Sequence, residues 1–75
     1  MAIVRKMEQI ALERESRHTE VNATYTVIHA EDGDYLQIDT YGSIDRQKIG
    51  KKSQSIRLAP SALKQLEGLL KTIRY

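Results

Sequence analysis

The chain has no cysteine, which excludes both a disulfide framework and a thiolate metal site and fits a reducing compartment. No apolar run approaches the ~20 residues of a membrane span. The opening stretch MAIVRKMEQIALERE carries acids throughout and lacks the apolar core of a signal peptide. A soluble, cytoplasmic protein that does not use a membrane is expected, with nucleoid association left open. The two histidines, His18 and His29, lack the spacing of a metal-ligand motif and are expected to hydrogen-bond locally. Asp39, Asp45, His18 and Tyr41 can be assembled into acid–base sets on paper. A nucleophile elbow, a phosphate-cradling glycine motif and a metal-ligand cluster are nevertheless all missing. No catalytic residue, metal, cofactor or small-molecule substrate is therefore assigned, and the protein is not expected to be an enzyme.

What is present is one hydrophobic pattern spread over 75 residues. That is a single domain, near the size at which one core barely suffices and a second subunit helps. The net charge of +2 specifies no partner, but its distribution is uneven. Residues 31–45 carry five acids and no base, and residues 46–57 carry Arg46, Lys48, Lys51, Lys52 and Arg57 with no acid. Such a change of sign marks either an anion-binding surface or pairing across a hairpin.

The periodicities predict an α+β fold: an N-terminal amphipathic helix over 1–16, a small antiparallel sheet of three to four strands over 21–58, and a C-terminal helix over 60–74 packed on one sheet face. Ile3, Val4, Met7, Ile10 and Ala11 recur at helical spacing. Such a helix would serve the core, a dimer or a partner protein. VNATYTVIHA at 21–30 alternates with β-branched and aromatic residues and predicts a half-buried strand. Asp32-Gly33 then predicts a hairpin, with both residues in the positive-φ positions of a type I′ turn. In Tyr35–Tyr41 the alternation divides Leu36 and Ile38, expected inward, from Tyr35, Gln37, Asp39 and Tyr41, expected outward. A short strand near Gln47–Ile49 is left open. SQSIRL at 53–58 alternates again, with Ile56 and Leu58 inward and Arg57 outward. Pro60 suits the first turn of a helix and Ser61 its cap. Ala62, Leu63, Leu66, Leu69, Leu70 and Ile73 form the apolar stripe of that helix. Gly68 inside it suggests either a close backbone approach, such as the same helix of a second subunit, or simple tolerance.

The outward face thus combines Tyr35 and Tyr41 with hydroxyls and a basic rim. Rings on which bases stack and cations for phosphates are what an unpaired nucleic-acid strand needs. Asp39 would repel phosphate there unless it pairs with Arg57 or Lys52. If it stood alone, an interaction-module reading would gain.

GKKSQSIRLAPSALKQLEGLLK, from Gly50 to Lys71, and YLQIDTYG before it resemble the positive-cofactor-four family of transcriptional coactivators and their bacterial and phage relatives, over roughly residues 35–74. The shared pattern is a basic G-x-K segment, a short I-x-L strand and a proline-started helix with leucine repeats. Here the counterparts are Gly50, Lys52, Ile56, Leu58, Pro60, Leu66 and Leu70. The resemblance implies a curved antiparallel sheet with a helix, dimerised through the helices, that binds single-stranded DNA on the sheet face. It also implies phosphate contacts at Arg46, Lys48, Lys51, Lys52 and Arg57 and stacking at Tyr35 and Tyr41. The expected function is accordingly that of a homodimeric single-stranded-DNA-binding accessory factor of transcription or DNA metabolism, with RNA left open as a ligand. The competing expectation is a small protein-interaction module of phage or mobile-element type, using a free sheet edge or the N-terminal helix.

Overall fold

The computed structural model describes residues 1–12, 14–43 and 52–75. Four strands and one helix follow each other as β1 (Ala2–Val4), β2 (Val21–Ala30), β3 (Gly33–Ser43), β4 (Lys52–Leu58) and α1 (Pro60–Leu70). The strands form one sheet in the order β1-β4-β3-β2. β2–β3 and β3–β4 are antiparallel, whereas β1 joins β4 in parallel, with Ala2 opposite Ile56 and Val4 opposite Leu58.

The sheet is therefore mixed rather than antiparallel, and no N-terminal helix forms among the described residues. The physical reason lies in what each alternative can bury. An amphipathic helix is held mainly by the packing of its apolar stripe, yet Ile10 is 82% exposed and Leu12 is nearly as open. A strand at Ala2–Val4 instead gives β-branched Ile3 and Val4 a ladder of hydrogen bonds along β4, whose edge would otherwise be unpaired. After Val4 the chain is tied to the start of α1. The Ala59 amide donates to the Val4 carbonyl at 2.9 Å, Ser61 Oγ donates to the Arg5 carbonyl at 2.6 Å, and Gln65 brackets the Met7 backbone.

The β2–β3 hairpin turns through Glu31 and Asp32 rather than through Asp32-Gly33, and Ala30 pairs with Gly33. No non-glycine residue among the described ones has positive φ, so a type I′ turn is ruled out. Gly33 alone carries φ of +129°. It also lies against Pro60, whose Cγ would sit 2.8 Å from an added Cβ. Helix α1 is shorter than expected, ending at Leu70. Its N-cap is Ala59, whose side chain has no group to make a cap bond, and Ser61, the expected cap, donates its hydroxyl to the Arg5 carbonyl instead.

Strand register assigns each residue to a face. One face holds two apolar rows, Val4–Leu58–Leu36–Val27 and Ala2–Ile56–Ile38–Tyr25. The other holds Ile3–Arg57–Gln37–Thr26, then Ser55–Asp39–Thr24, with Tyr35 opposite Ile28. Leu58 is buried as expected, but the burial of the other residues departs from the expectation. Tyr35, Gln37 and Asp39 are buried, while Leu36 and Ile38 are only half-buried and Tyr25 is 77% exposed. β2 is correspondingly an exposed edge strand rather than a half-buried one. Apolar burial concentrates where β4 meets α1, at Leu58, Ala59 and Ala62, and α1 touches β3 and β4.

Candidate nucleic-acid interface

The polar face is built by three cross-strand pairs: Gln37 opposite Arg57, Asp39 opposite Ser55, and Tyr41 opposite Lys52. Directly opposed side chains stand close enough for hydrogen bonding. Arg57 Nε donates to Gln37 Oε1 at 3.1 Å, and Nη2 donates to the same oxygen at 2.5 Å. Gln37 Nε2 in turn donates to both carboxylate oxygens of Asp39, at 3.0 and 3.2 Å. Ser55 Oγ also donates to Asp39, and Lys52 Nζ stands 3.2 Å from Asp39 Oδ2. The result is a directed chain from Arg57 through Gln37 to Asp39, closed from the far side by Ser55 and Lys52.

Asp39 is only 2% exposed, yet its charge is fully attended. No buried side-chain polar atom lacks a partner among the described residues. The Ser55 hydroxyl bond holds the Asp39 carboxyl below its usual value of 3.8. Burial works in the opposite direction, and Gln37 and Lys52 reinforce the lowering. Asp32 is likewise held below its usual value, first by the hydrogen bond from Tyr35, whose hydroxyl donates to Asp32 Oδ2 at 2.6 Å.

The expected contact residues separate on this geometry. Tyr35 is 8% exposed, with its hydroxyl committed to Asp32 and approached by Arg5 Nη1 at 3.4 Å; its ring offers little surface to a base. Tyr41 is half-buried at the other end of β3, and its hydroxyl lies 3.0 Å from Thr24 Oγ1. Lys52 and Arg57 sit together on the polar face, joined through Asp39 and Gln37. Arg46, Lys48, Lys51 and the short strand considered near Gln47–Ile49 lie outside the described residues.

Gln37 and Ser55, the connectors of the network, carried no assigned role in the sequence reading. Period-two alternation places them beside Asp39, but nothing in the sequence shows that this face closes upon itself. Arg5 was also missed, because its position follows from β1 pairing. The histidines bond locally: His18 Nδ1 lies 2.8 Å from the Ser16 carbonyl and His29 Nδ1 2.8 Å from Asp34 Oδ1. Among the described residues no three His, Cys, Asp or Glu side chains gather as a metal site, and no helix is long and apolar enough to cross a membrane.

No family model, curated protein or solved structure matches this chain.

Proposed function

We propose that this chain is a cytoplasmic, homodimeric accessory factor that binds single-stranded nucleic acid, DNA foremost, along the polar face of β3 and β4 and the basic segment 46–57. The supporting observation is the state of Asp39. A lone carboxylate on that face would repel phosphate, and here it is enclosed by Lys52, Ser55 and Gln37. Arg57 contacts the Gln37 carbonyl rather than a carboxylate, so its charge remains available to a phosphate. Tyr41 is the aromatic residue placed to stack, since Tyr35 is buried.

Titration of labelled single- and double-stranded oligonucleotides at two salt concentrations tests this reading. Four or five phosphate contacts at about 0.7 each give a log–log slope of about −2.8 to −3.5, or roughly 50- to 130-fold weaker binding between about 50 and 200 mM salt. The charge reversal Lys51→Glu/Lys52→Glu should abolish most of the binding. A flat salt response, or no binding at low salt, would overturn the proposal.

One observation favours the second reading, a protein-interaction module: Tyr25, Val27 and Ile56 on the apolar face of the sheet are exposed. A partner held there would bind with little salt dependence and would be indifferent to the lysine reversals.

A further inference from the structure

We infer that the apolar face of the sheet is where two copies of this chain pack together, and that the fold is completed only in the pair. This specifies the self-association within the proposed function and does not depend on its nucleic-acid part.

The single chain lacks a sufficient core. Among the described residues no large side chain is fully buried, and the buried apolar set consists of Tyr35, Leu58, Ala59 and Ala62. The accessible surface is 7163 Å², against about 4,700 Å² expected for a compact protein of this mass. The radius of gyration is 14.6 Å, against roughly 11 Å for a compact chain of this length. The irregular segment between β1 and β2 contributes to both excesses. The whole surplus, that segment's share included, is about three times the ~800 Å² that a standard interface removes from each partner.

The face itself indicates where the missing burial belongs. Tyr25 is 77% exposed, Val27 is 49% exposed and Ile56 is 39% exposed, and all three lie on the side opposite the polar network. Beside them an open groove of about 450 Å³ is lined in part by Met1, Ala2, Ile38 and Ile56. A contiguous open apolar surface of this kind marks an interface.

Charge selects the occupant. No charged residue lies in the two apolar rows, nor in the row formed by Ala23, Thr40 and Gln54; on the other side, at the hairpin end, the exposed Asp34 is paired with His29. A two-fold axis brings a surface against itself, so an unpaired charge at its centre would meet a like charge nearby, and a face with an uncharged centre is self-complementary. Two sheets packed face to face at about 10 Å would enclose Tyr25, Val27, Ile38 and Ile56 from both copies. Arg57 and Lys52 lie on the opposite side of each sheet and would point away from one another.

The test compares Tyr25→Lys with Thr26→Lys, neighbours on one strand that point to opposite faces, by light scattering and sedimentation, with oligonucleotide binding measured separately. The wild type should run at twice 8.6 kDa and Thr26→Lys likewise. Tyr25→Lys should weaken dimerisation by roughly a hundredfold or more, since it buries an unpaired charge. Should Tyr25→Lys fail to fold, the wild type decides. Its melting midpoint should rise on the order of 5–10 °C over a hundredfold increase in concentration. A monomeric wild type with a concentration-independent midpoint overturns both this inference and the homodimer. A dimer that survives Tyr25→Lys but is lost on Leu69→Lys/Leu70→Lys overturns this inference alone and assigns pairing to the helix.

Discussion

Lys52 Nζ lies 3.2 Å from Asp39 Oδ2, joining the first residue of β4 to the middle of β3 across the polar face. The carboxylate is buried while the lysine remains about half exposed, so a single cation both neutralises Asp39 and reaches the surface.

This arrangement predicts an acid limb in stability. Asp39 and Asp32 both have folded pKa values below the usual 3.8. Their contribution is therefore complete above that value and is lost as pH falls through the depressed folded values. Thermal midpoints followed downward from neutrality should stay level to about pH 4–5 and then drop. Asp39→Asn should lower the midpoint at neutral pH and flatten the acid limb. An unchanged limb would mean that the Asp39 pairing contributes nothing to it.

Gln37 is expected to matter more than its neutral side chain suggests. Gln37→Leu removes the acceptor for Arg57 and two donor contacts to Asp39 at once. Asp39 keeps Ser55 and Lys52 and the half-buried Arg57 can turn to water, so the loss is that of the hydrogen bonds themselves, about 1–2 kcal/mol by denaturant unfolding. Gln37→Glu should destabilise as well, because a second carboxylate would face Asp39.

Gly33 and Gly68 should respond to alanine in opposite directions. Gly33→Ala must place a Cβ at φ +129° and 2.8 Å from Pro60 Cγ, a strain on the order of 1–3 kcal/mol. Gly68→Ala meets nothing within 4 Å and should stabilise by about 0.5–1 kcal/mol through helix propensity. A destabilised Gly68→Ala would reveal a helix–helix contact at that position in the assembled protein.

Far-ultraviolet circular dichroism tests the N-terminal strand. Among the described residues helix spans 11 positions of the 75-residue chain, which amounts to about 15% helical content. A value above twice that would restore the N-terminal helix and remove β1.

Some of this architecture could be read from the sequence and some could not, for separable reasons. β2, β3 and β4 are visible because alternation over seven or more residues has no helical counterpart, and Pro60 announces α1. Ile3 and Val4 were ambiguous: a short apolar run is consistent with either element, and only the partner strand 54 residues away decides. Alternation also tells which residues share a face, not which face is covered. Tyr35, Gln37 and Asp39 were placed outward because they are polar, but hydrogen bonding among Gln37, Asp39, Ser55 and Arg57 lets that face close on itself. Leu36 and Ile38, with Tyr25 beyond them, stay partly open within one chain. The candidate face divides in the same way: charge and strand position single out Lys52, Arg57 and Tyr41 as candidates, whereas the link from Gln37 to Arg57 is visible only through their register.

The parallel pairing of Ala2–Val4 with Ile56–Leu58 imposes an order of assembly during synthesis. The β2–β3 hairpin is local and can close as soon as it leaves the ribosome. β1, made first, has no strand to join until β4 has been translated 54 residues later. At roughly 5–20 residues per second that wait is about 3–11 s. Of the three strands that precede β4, β1 thus waits longest for its partner, and its pairing with β4 cannot form before Ile56–Leu58 are made.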